Sequence, residues 1–161
     1  IPDQAKLLLT VRSYSDETRE KLIEGIKRVA RGEAIAAGVP DDKMPVVSVK
    51  DEFTPSTYNP PEFAEQMAGV LKGHFPEGRV VKTQAVMGGE DFGRFYRADK
   101  SIHSFIFWVG GVPADKMAAA QAGQAPLPSL HSPFWAPQAD AVIATASEAM
   151  TVLALDILKK E

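Results

Sequence analysis

Residues 102–109 read Ile-His-Ser-Phe-Ile-Phe-Trp-Val, and this run decides the fold that the sequence predicts. β-Branched and aromatic side chains dominate it, and such residues are enriched in β-strands. A second apolar run, Leu-Leu-Leu-Thr-Val, lies between Lys6 and Arg12. Shorter runs at 46–49 and 80–81 are also typical of strands. The sequence therefore predicts a protein that contains a β-sheet.

Helical patterns alternate with these runs. Ser15, Asp16 and Glu17 predict a helix start, because oxygen side chains cap free N–H groups and acids suit the positive end of the helix dipole. Apolar residues at helical spacing continue to Ala34, and Gly38 ends the pattern. Further helices are predicted from Pro61, at 90–96 starting at the double glycine, at 113–122 and at 138–158.

This order of elements predicts an α/β (α+β) chain in two parts. Strand, helix and strand come first, and helices then alternate with strands after a linker. The stretch 54–61, Thr-Pro-Ser-Thr-Tyr-Asn-Pro-Pro, is rich in turn-forming residues and marks the expected boundary. The expected domains are thus 1–53 and 54–161.

Composition narrows the classes of function. The chain has 161 residues, 45% of them hydrophobic, and a net charge of −3 without a basic stripe, so nucleic acid is not an expected partner. No apolar run approaches the ~20 residues of a membrane helix. The absence of cysteine removes disulfides, thiolate zinc sites and a cysteine nucleophile, but leaves cytoplasm and periplasm equally open. The start, Ile1-Pro2-Asp3, suggests a piece of a longer protein.

Met87-Gly88-Gly89-Glu90-Asp91-Phe92 is the first motif with chemical potential. Two glycines let a backbone approach a ligand, and free N–H groups at a helix start attract a carboxylate or phosphate. The simpler interpretation is a tight turn, with Glu90 and Asp91 as acids at a helix start. From the local sequence alone, the turn is favoured.

His131 is the second candidate, in Leu130-His131-Ser132-Pro133 just before the last helix. Imidazole is the commonest metal ligand among side chains, yet a lone loop histidine is more often bonded to backbone. Ser132 is expected to form a turn before Pro133. Arg12 ends the first apolar run, where it either binds a substrate carboxylate or remains a solvated charge.

Four segments in register resemble one family. Leu8-Leu9-Thr10-Val11-Arg12, the Met87–Phe92 motif, Phe107-Trp108-Val109-Gly110-Gly111 and Leu130-His131-Ser132-Pro133 are similar to segments of the metal-dependent amidohydrolases. These are the relatives of zinc aminoacylase, hippurate hydrolase and glutamate carboxypeptidase. The resemblance implies half of a ferredoxin-like βαβ lid, 1–53, followed by the C-terminal part of a metallopeptidase-type α/β catalytic domain, 54–161.

The resemblance also implies roles for particular residues. His131 would be one ligand of a site for two divalent metals, zinc or else manganese, cobalt or nickel. Arg12 and the N–H groups of Gly88 and Gly89 would bind the terminal carboxylate of an N-acyl amino acid or small peptide. Glu90 and Asp91 would lie at the edge of the site.

The chain also departs from that family. The other metal ligands, the Glu-Glu pair that moves the proton and the first half of the lid have no match here, so no catalytic residue is expected in this chain. The expectation is a catalytically incomplete hydrolase part that binds metal weakly or not at all. It is expected to form homo-oligomers or to associate with the missing N-terminal half. The alternative is a non-catalytic module that dimerises or binds a carboxylate.

Overall fold

A computed structural model describes residues 2–159 of the chain. Its regular structure consists of helices and one 3-10 turn at Asp41–Lys43. The helices are α1 (Asp16–Ala36), α2 (Pro61–His74), α3 (Gly93–Ala98), α4 (Ala114–Gln121) and α5 (Ala139–Ile157).

The prediction of an α/β or α+β fold with a βαβ lid is wrong. Residues 2–159 contain no β-strand, and the runs expected as strands at 6–12, 46–49, 80–81 and 102–109 have no regular structure. A strand exists only when a neighbouring backbone accepts and donates its hydrogen bonds, so β-propensity alone does not make one. Leu8 and Val46 are 85% and 92% exposed, which shows that their runs pack against no sheet.

Helix α1 forms where the sequence predicts it, because both of its ends are specified locally. The Ser15 hydroxyl accepts a hydrogen bond from the Thr18 N–H at 3.1 Å, which satisfies one free donor of the first turn. At the other end Gly38 adopts φ +70°, a left-handed conformation that glycine reaches without steric cost. The helix nevertheless buries none of its residues.

The chain divides into two compact units, and neither is continuous in sequence. Unit 1 comprises 1–58 and 83–104, and unit 2 comprises 59–82 and 105–161. The boundary expected between lid and catalytic parts, at residue 54, stays a prediction, because compactness does not assign either role.

Unit 2 contains the aliphatic core. Helices α2 and α5 pack together through Met67, Leu71, Ala149 and Leu153, all of them buried. Met67 is only 1% exposed, and full burial of such a side chain contributes about 1.5–3 kcal/mol. Partly buried aromatic and aliphatic side chains pack against this core: Phe63, Val70, Phe75, Val80, Phe105 and Phe107.

Unit 1 is held together differently. Among its described residues no Val, Leu, Ile, Met or Phe side chain is buried. Instead, Arg97 of α3 donates to the Asp16 carboxylate of α1 at 2.6 Å. Arg94 donates to the Phe53 carbonyl at 3.0 Å. These contacts of arginine join α3 to α1 and to residue 53.

Within residues 2–159, no helix combines the length and the apolarity that a membrane span needs.

Candidate functional site

Arg12 contacts the double-glycine segment through Met87, which lies 75 residues further along the chain. Its Nη1 donates to the Met87 carbonyl at 2.6 Å. A Cβ added to Gly89 would lie 3.6 Å from the same nitrogen, so the guanidinium lies directly beside that glycine. Three residues proposed for carboxylate binding, Arg12, Gly88 and Gly89, are thus brought to one place in unit 1.

This arrangement leaves hydrogen-bond donors free. A guanidinium has five N–H groups, and the bond to Met87 uses only one nitrogen of Arg12. Within residues 2–159 the N–H groups of Gly88 and Gly89 donate to no backbone or side-chain acceptor. All three residues are exposed, so an anion from solvent can reach them. A carboxylate suits such a set of donors because arginine binds it bidentately.

Glu90 and Asp91 turn the chain away from this segment. The Glu90 carboxylate accepts a bond from the Phe92 N–H at 3.3 Å, and its carbonyl accepts one from the Thr57 hydroxyl at 3.3 Å. The Asp91 carbonyl accepts from the Arg94 N–H at 3.0 Å. Both acids therefore form hydrogen bonds in the turn that precedes α3.

The prediction that a short helix starts at the double glycine is wrong. Helix α3 begins at Gly93 and contains six residues. Glu90 and Asp91 form a turn before α3 begins, so the N–H groups of Gly88 and Gly89 lie outside the first turn of this helix. Their capacity to bind an anion depends on Arg12 and on their own free N–H groups.

Gly93 is a residue whose importance the sequence did not reveal. A Cβ at this position would lie 2.9 Å from the Ser56 carbonyl oxygen and 2.9 Å from the Thr57 Cα. Both are backbone atoms, which cannot rotate away as the end of a side chain can. Gly93 therefore permits the close approach of α3 to 56–57, next to the Thr57 hydroxyl that binds Glu90.

His131 lies in unit 2, in two consecutive turns. The Ser132 N–H donates to the Ser129 carbonyl at 2.9 Å, and the Trp135 N–H donates to the Ser132 carbonyl at 3.0 Å. The Ser132 hydroxyl accepts from the Phe134 N–H at 3.2 Å, which confirms its expected role in a turn. The imidazole of His131 is exposed and bonds to no group within 2–159. It is therefore free to bind a ligand from solvent.

The His131 turn is anchored at its end. The Gln138 N–H donates to the Gly111 carbonyl at 3.0 Å. A Cβ on Gly111 would lie 3.0 Å from the Pro137 Cβ and 3.6 Å from the Trp135 ring, so this glycine also allows a close approach. The Gly110-Gly111 pair and the histidine loop, two of the segments that carry the family resemblance, are thus neighbours in unit 2.

A catalytic metal needs several ligands in one place, generally three or four from the protein for zinc. No group of three His, Asp or Glu side chains within residues 2–159 converges in this way. The described residues thus do not fit a catalytic metal by themselves, and His131 offers one nitrogen only. His131 belongs to unit 2, whereas Gly88 and Gly89 belong to unit 1.

The Asn59 side chain makes two hydrogen bonds to the backbone of Ile106. Its amide nitrogen donates to the Ile106 carbonyl at 2.8 Å, and its amide oxygen accepts from the Ile106 N–H at 2.9 Å. One side chain thus gives Ile106 both of the bonds that a neighbouring strand would give. This pairing joins the start of α2 to the run 102–109 and has no signal in the sequence.

The other two histidines belong to the framework. His74 is the last residue of α2, and its Nε2 lies 2.7 Å from the Glu148 carboxylate of α5. His103 also has a contact within the chain.

Comparisons with known proteins give a distant similarity. The chain is 28% identical over 106 residues to thermostable carboxypeptidase 1 of Saccharolobus solfataricus, and equally to thermostable carboxypeptidase 2 of the same organism. The match covers 66% of this chain and 25% of each relative, so the chain spans about a quarter of the proteins that it matches. No protein-family model and no solved structure matches the chain. The chain is therefore similar to carboxypeptidases at a coarse level only.

Proposed function

We propose that this chain supplies the carboxylate-binding part of a carboxypeptidase-like hydrolase. The observation that carries the proposal is the Arg12–Met87 hydrogen bond of 2.6 Å, which holds a guanidinium against Gly88 and Gly89. The similarity to two proteins named carboxypeptidases supports the same class of substrate. The substrate is an N-acyl amino acid or a small peptide, and its free carboxylate is the group bound here.

Binding follows from the donors that remain free. The carboxylate accepts hydrogen bonds from the edge of the Arg12 guanidinium and from the Gly88 and Gly89 N–H groups. Because all three residues are exposed, solvent screens these charge-assisted bonds, and each contributes about 0–1 kcal/mol. The lack of side chains on both glycines lets the ligand approach the backbone. Glu90 and Asp91 lie at the edge of this site. Their negative charges repel a carboxylate that is displaced from the Arg12 and glycine donors.

His131 is proposed as a single ligand of the divalent-metal site in the complete hydrolase, which cleaves an amide bond between an acyl group and an amino acid. A bound divalent metal would supply Lewis-acid chemistry there. Since the described residues do not gather a ligand set, no chemical step is assigned to this chain. We infer that alone it binds substrate without cleaving it.

A second candidate is a non-catalytic module that binds carboxylates. Its support is that no three ligating side chains converge within 2–159, although the donors beside Arg12 are in place. Both candidates predict that this chain alone binds a carboxylate without cleaving the ligand. They differ in whether the chain is part of a hydrolase that cleaves the ligand when complete.

The test is an NMR titration of the ¹⁵N-labelled chain with hippurate (N-benzoylglycine) and with its methyl ester. We expect hippurate to shift the amide signals of Arg12, Gly88 and Gly89 saturably, and the ester to bind about tenfold more weakly because it has no anionic carboxylate. Arg12→Gln should weaken hippurate binding by a similar factor. Arg31→Gln, at an exposed arginine of α1, is the matched control and should change nothing.

Equal binding of acid and ester, or unchanged binding by Arg12→Gln, would contradict the carboxylate site. The same sample is then assayed for hippurate hydrolysis with added zinc. Cleavage by the chain alone would show that the inferred incompleteness is wrong, whereas binding without cleavage is the result that both candidates predict for this chain on its own.

A further inference from the structure

Unit 1 contains a second feature, independent of the Arg12 segment. A groove of about 510 Å³ lies between α1 and residues 49–53. Its apolar surface comes from Ile23, Val49 and Phe53, and its cations are Arg19 and Lys50. The groove is open to solvent, since Val49 and Phe53 are 46% and 37% exposed.

Arg19 stacks on an aromatic ring but has no anionic partner among residues 2–159. Its guanidinium carbon lies 3.9 Å from the centre of the Phe53 ring, which is the stacked geometry of a cation–π contact. The Phe53 backbone is held in turn by Arg94, which donates to its carbonyl at 3.0 Å. Stacking uses a face of the guanidinium and leaves its N–H edge available, and within residues 2–159 that edge meets no acceptor. Arg19 is nevertheless half-buried.

Arg19 is partly shielded from solvent, and a ligand that supplies an anion at its free N–H edge gains charge-assisted hydrogen bonds there. Lys50 likewise has no ion pair among the described residues. Three carboxylates also line the groove, those of Glu20, Glu24 and Asp51.

These acids do not take the place of a ligand. Glu24 is paired with Lys27 at 2.8 Å, which leaves Glu20 and Asp51 to balance the two cations. Neither of these two acids reaches Arg19 within hydrogen-bond distance, although both border the same groove. The groove is therefore close to neutral overall, and its preference for an anion comes from the free edge of one stacked guanidinium.

We propose that this groove binds an organic carboxylate that carries an apolar group. The carboxylate receives a forked pair of hydrogen bonds from Arg19, with Lys50 as a second cation. The apolar group packs on Ile23, Val49 and the Phe53 ring. The site is distinct in its residues from that around Arg12 and does not depend on the proposed hydrolase function.

The test uses 3-phenylpropionate as the probe, in an NMR titration of the labelled chain. We expect saturable shifts at the amides of Arg19, Ile23, Val49 and Phe53. Acetate lacks the apolar group and phenethylamine carries an ammonium in place of the carboxylate, so both should bind at least about tenfold more weakly. Because the signals of Arg12, Gly88 and Gly89 are separate, binding at one site is distinguished from binding at the other.

Two variants decide the outcome. Arg19→Gln removes the cation and should weaken binding about tenfold, and Val49→Glu should do the same by placing a carboxylate in the groove without removing the Arg19–Phe53 stack. Arg28→Gln, on the same helix, is the control and should bind as the parent chain does. Tight binding of phenethylamine, no saturable shift with 3-phenylpropionate, or unchanged binding by both variants would each overturn the proposal.

Discussion

The two compact units of this protein reach their order by different physical means. Unit 2 buries aliphatic side chains between α2 and α5, whereas unit 1 buries none among its described residues. In unit 1 the contacts are made by arginines, by a capping serine and by one glycine that allows close approach. Hydrophobic burial stabilises in proportion to area, while exposed ion pairs contribute about 0–1 kcal/mol each. Unit 2 should therefore tolerate surface changes well, and unit 1 should respond to changes in single polar contacts.

Met67→Ala should have the largest effect of the substitutions considered. It removes a side chain that is 1% exposed and leaves a cavity between α2 and α5, at a cost of about 2–5 kcal/mol in the free energy of unfolding. Urea denaturation followed by circular dichroism measures the loss. Met150→Ala on α5, where the methionine is 63% exposed, is the control and should cost under about 0.5 kcal/mol. Equal losses of unfolding free energy in Met67→Ala and Met150→Ala would contradict the distinction between the core and the surface of unit 2.

Gly93→Ala tests whether unit 1 depends on backbone packing. The added Cβ would lie 2.9 Å from backbone atoms of 56–57, so the segments must separate, which costs about 1–3 kcal/mol. Gly32→Ala on α1 is the matched control, since nothing lies within 4 Å of its Cβ, and it should stabilise the helix by up to about 1 kcal/mol. Opposite signs in thermal unfolding are the expected result. A stabilising Gly93→Ala would show that 56–57 moves away without cost.

Ser15→Ala tests the capping contact of α1. Loss of the Ser15–Thr18 hydrogen bond should cost about 1 kcal/mol, because one N–H of the first turn then lacks an acceptor within the chain. Ser15→Asp keeps an acceptor at the same place and should retain most of the stability. Amide hydrogen exchange along α1 measures both changes. If alanine and aspartate behave alike, capping is not what specifies this end of the helix.

Asp99 gives the smallest expected effect, in its response to pH. The Ser101 N–H donates to the Asp99 carboxylate at 2.8 Å, and this bond, aided by the Ser101 side chain, lowers the pKa of that carboxyl below 3.8. A lowered pKa means that the contribution to stability is present above the unfolded value and is lost as pH falls through the folded value. NMR titration should place the Asp99 pKa below 3.8, and Ser101→Ala should raise it part of the way. A pKa above 3.8 in the parent chain would show that the bond does not persist in solution.

The helices were largely predictable from the sequence, because their signals are local. Ser15 caps α1 within three residues of itself, Gly38 ends the same helix region, and Pro61 supplies a preset φ at the first position of α2. The run 102–109 was not predictable in the same way. Its composition is typical of a strand, yet its observed backbone partner at Ile106 is the side chain of Asn59, 47 residues away.

The candidate site shows the same division. The residue types at Arg12, Gly88 and Gly89 suggested carboxylate binding, and the family resemblance connected them. Their contact through Met87 was beyond local sequence reasoning, because 75 residues separate the arginine from that carbonyl. The groove beside Arg19 had no sequence signal, since it depends on a phenylalanine and an arginine more than thirty residues apart.

The sequence by itself determined where the helices α1, α2, α4 and α5 form, since capping residues, apolar periodicity and residues that end a helix all act over a few positions. It also determined which residue types are available for a carboxylate or a metal. Only the tertiary structure decided that the apolar runs pair with no strand within residues 2–159, that Arg12 lies against the double glycine and that Gly93 is enclosed by backbone. Each of these depends on what distant segments place beside a residue, and a strand or a binding site exists only when such a partner is present.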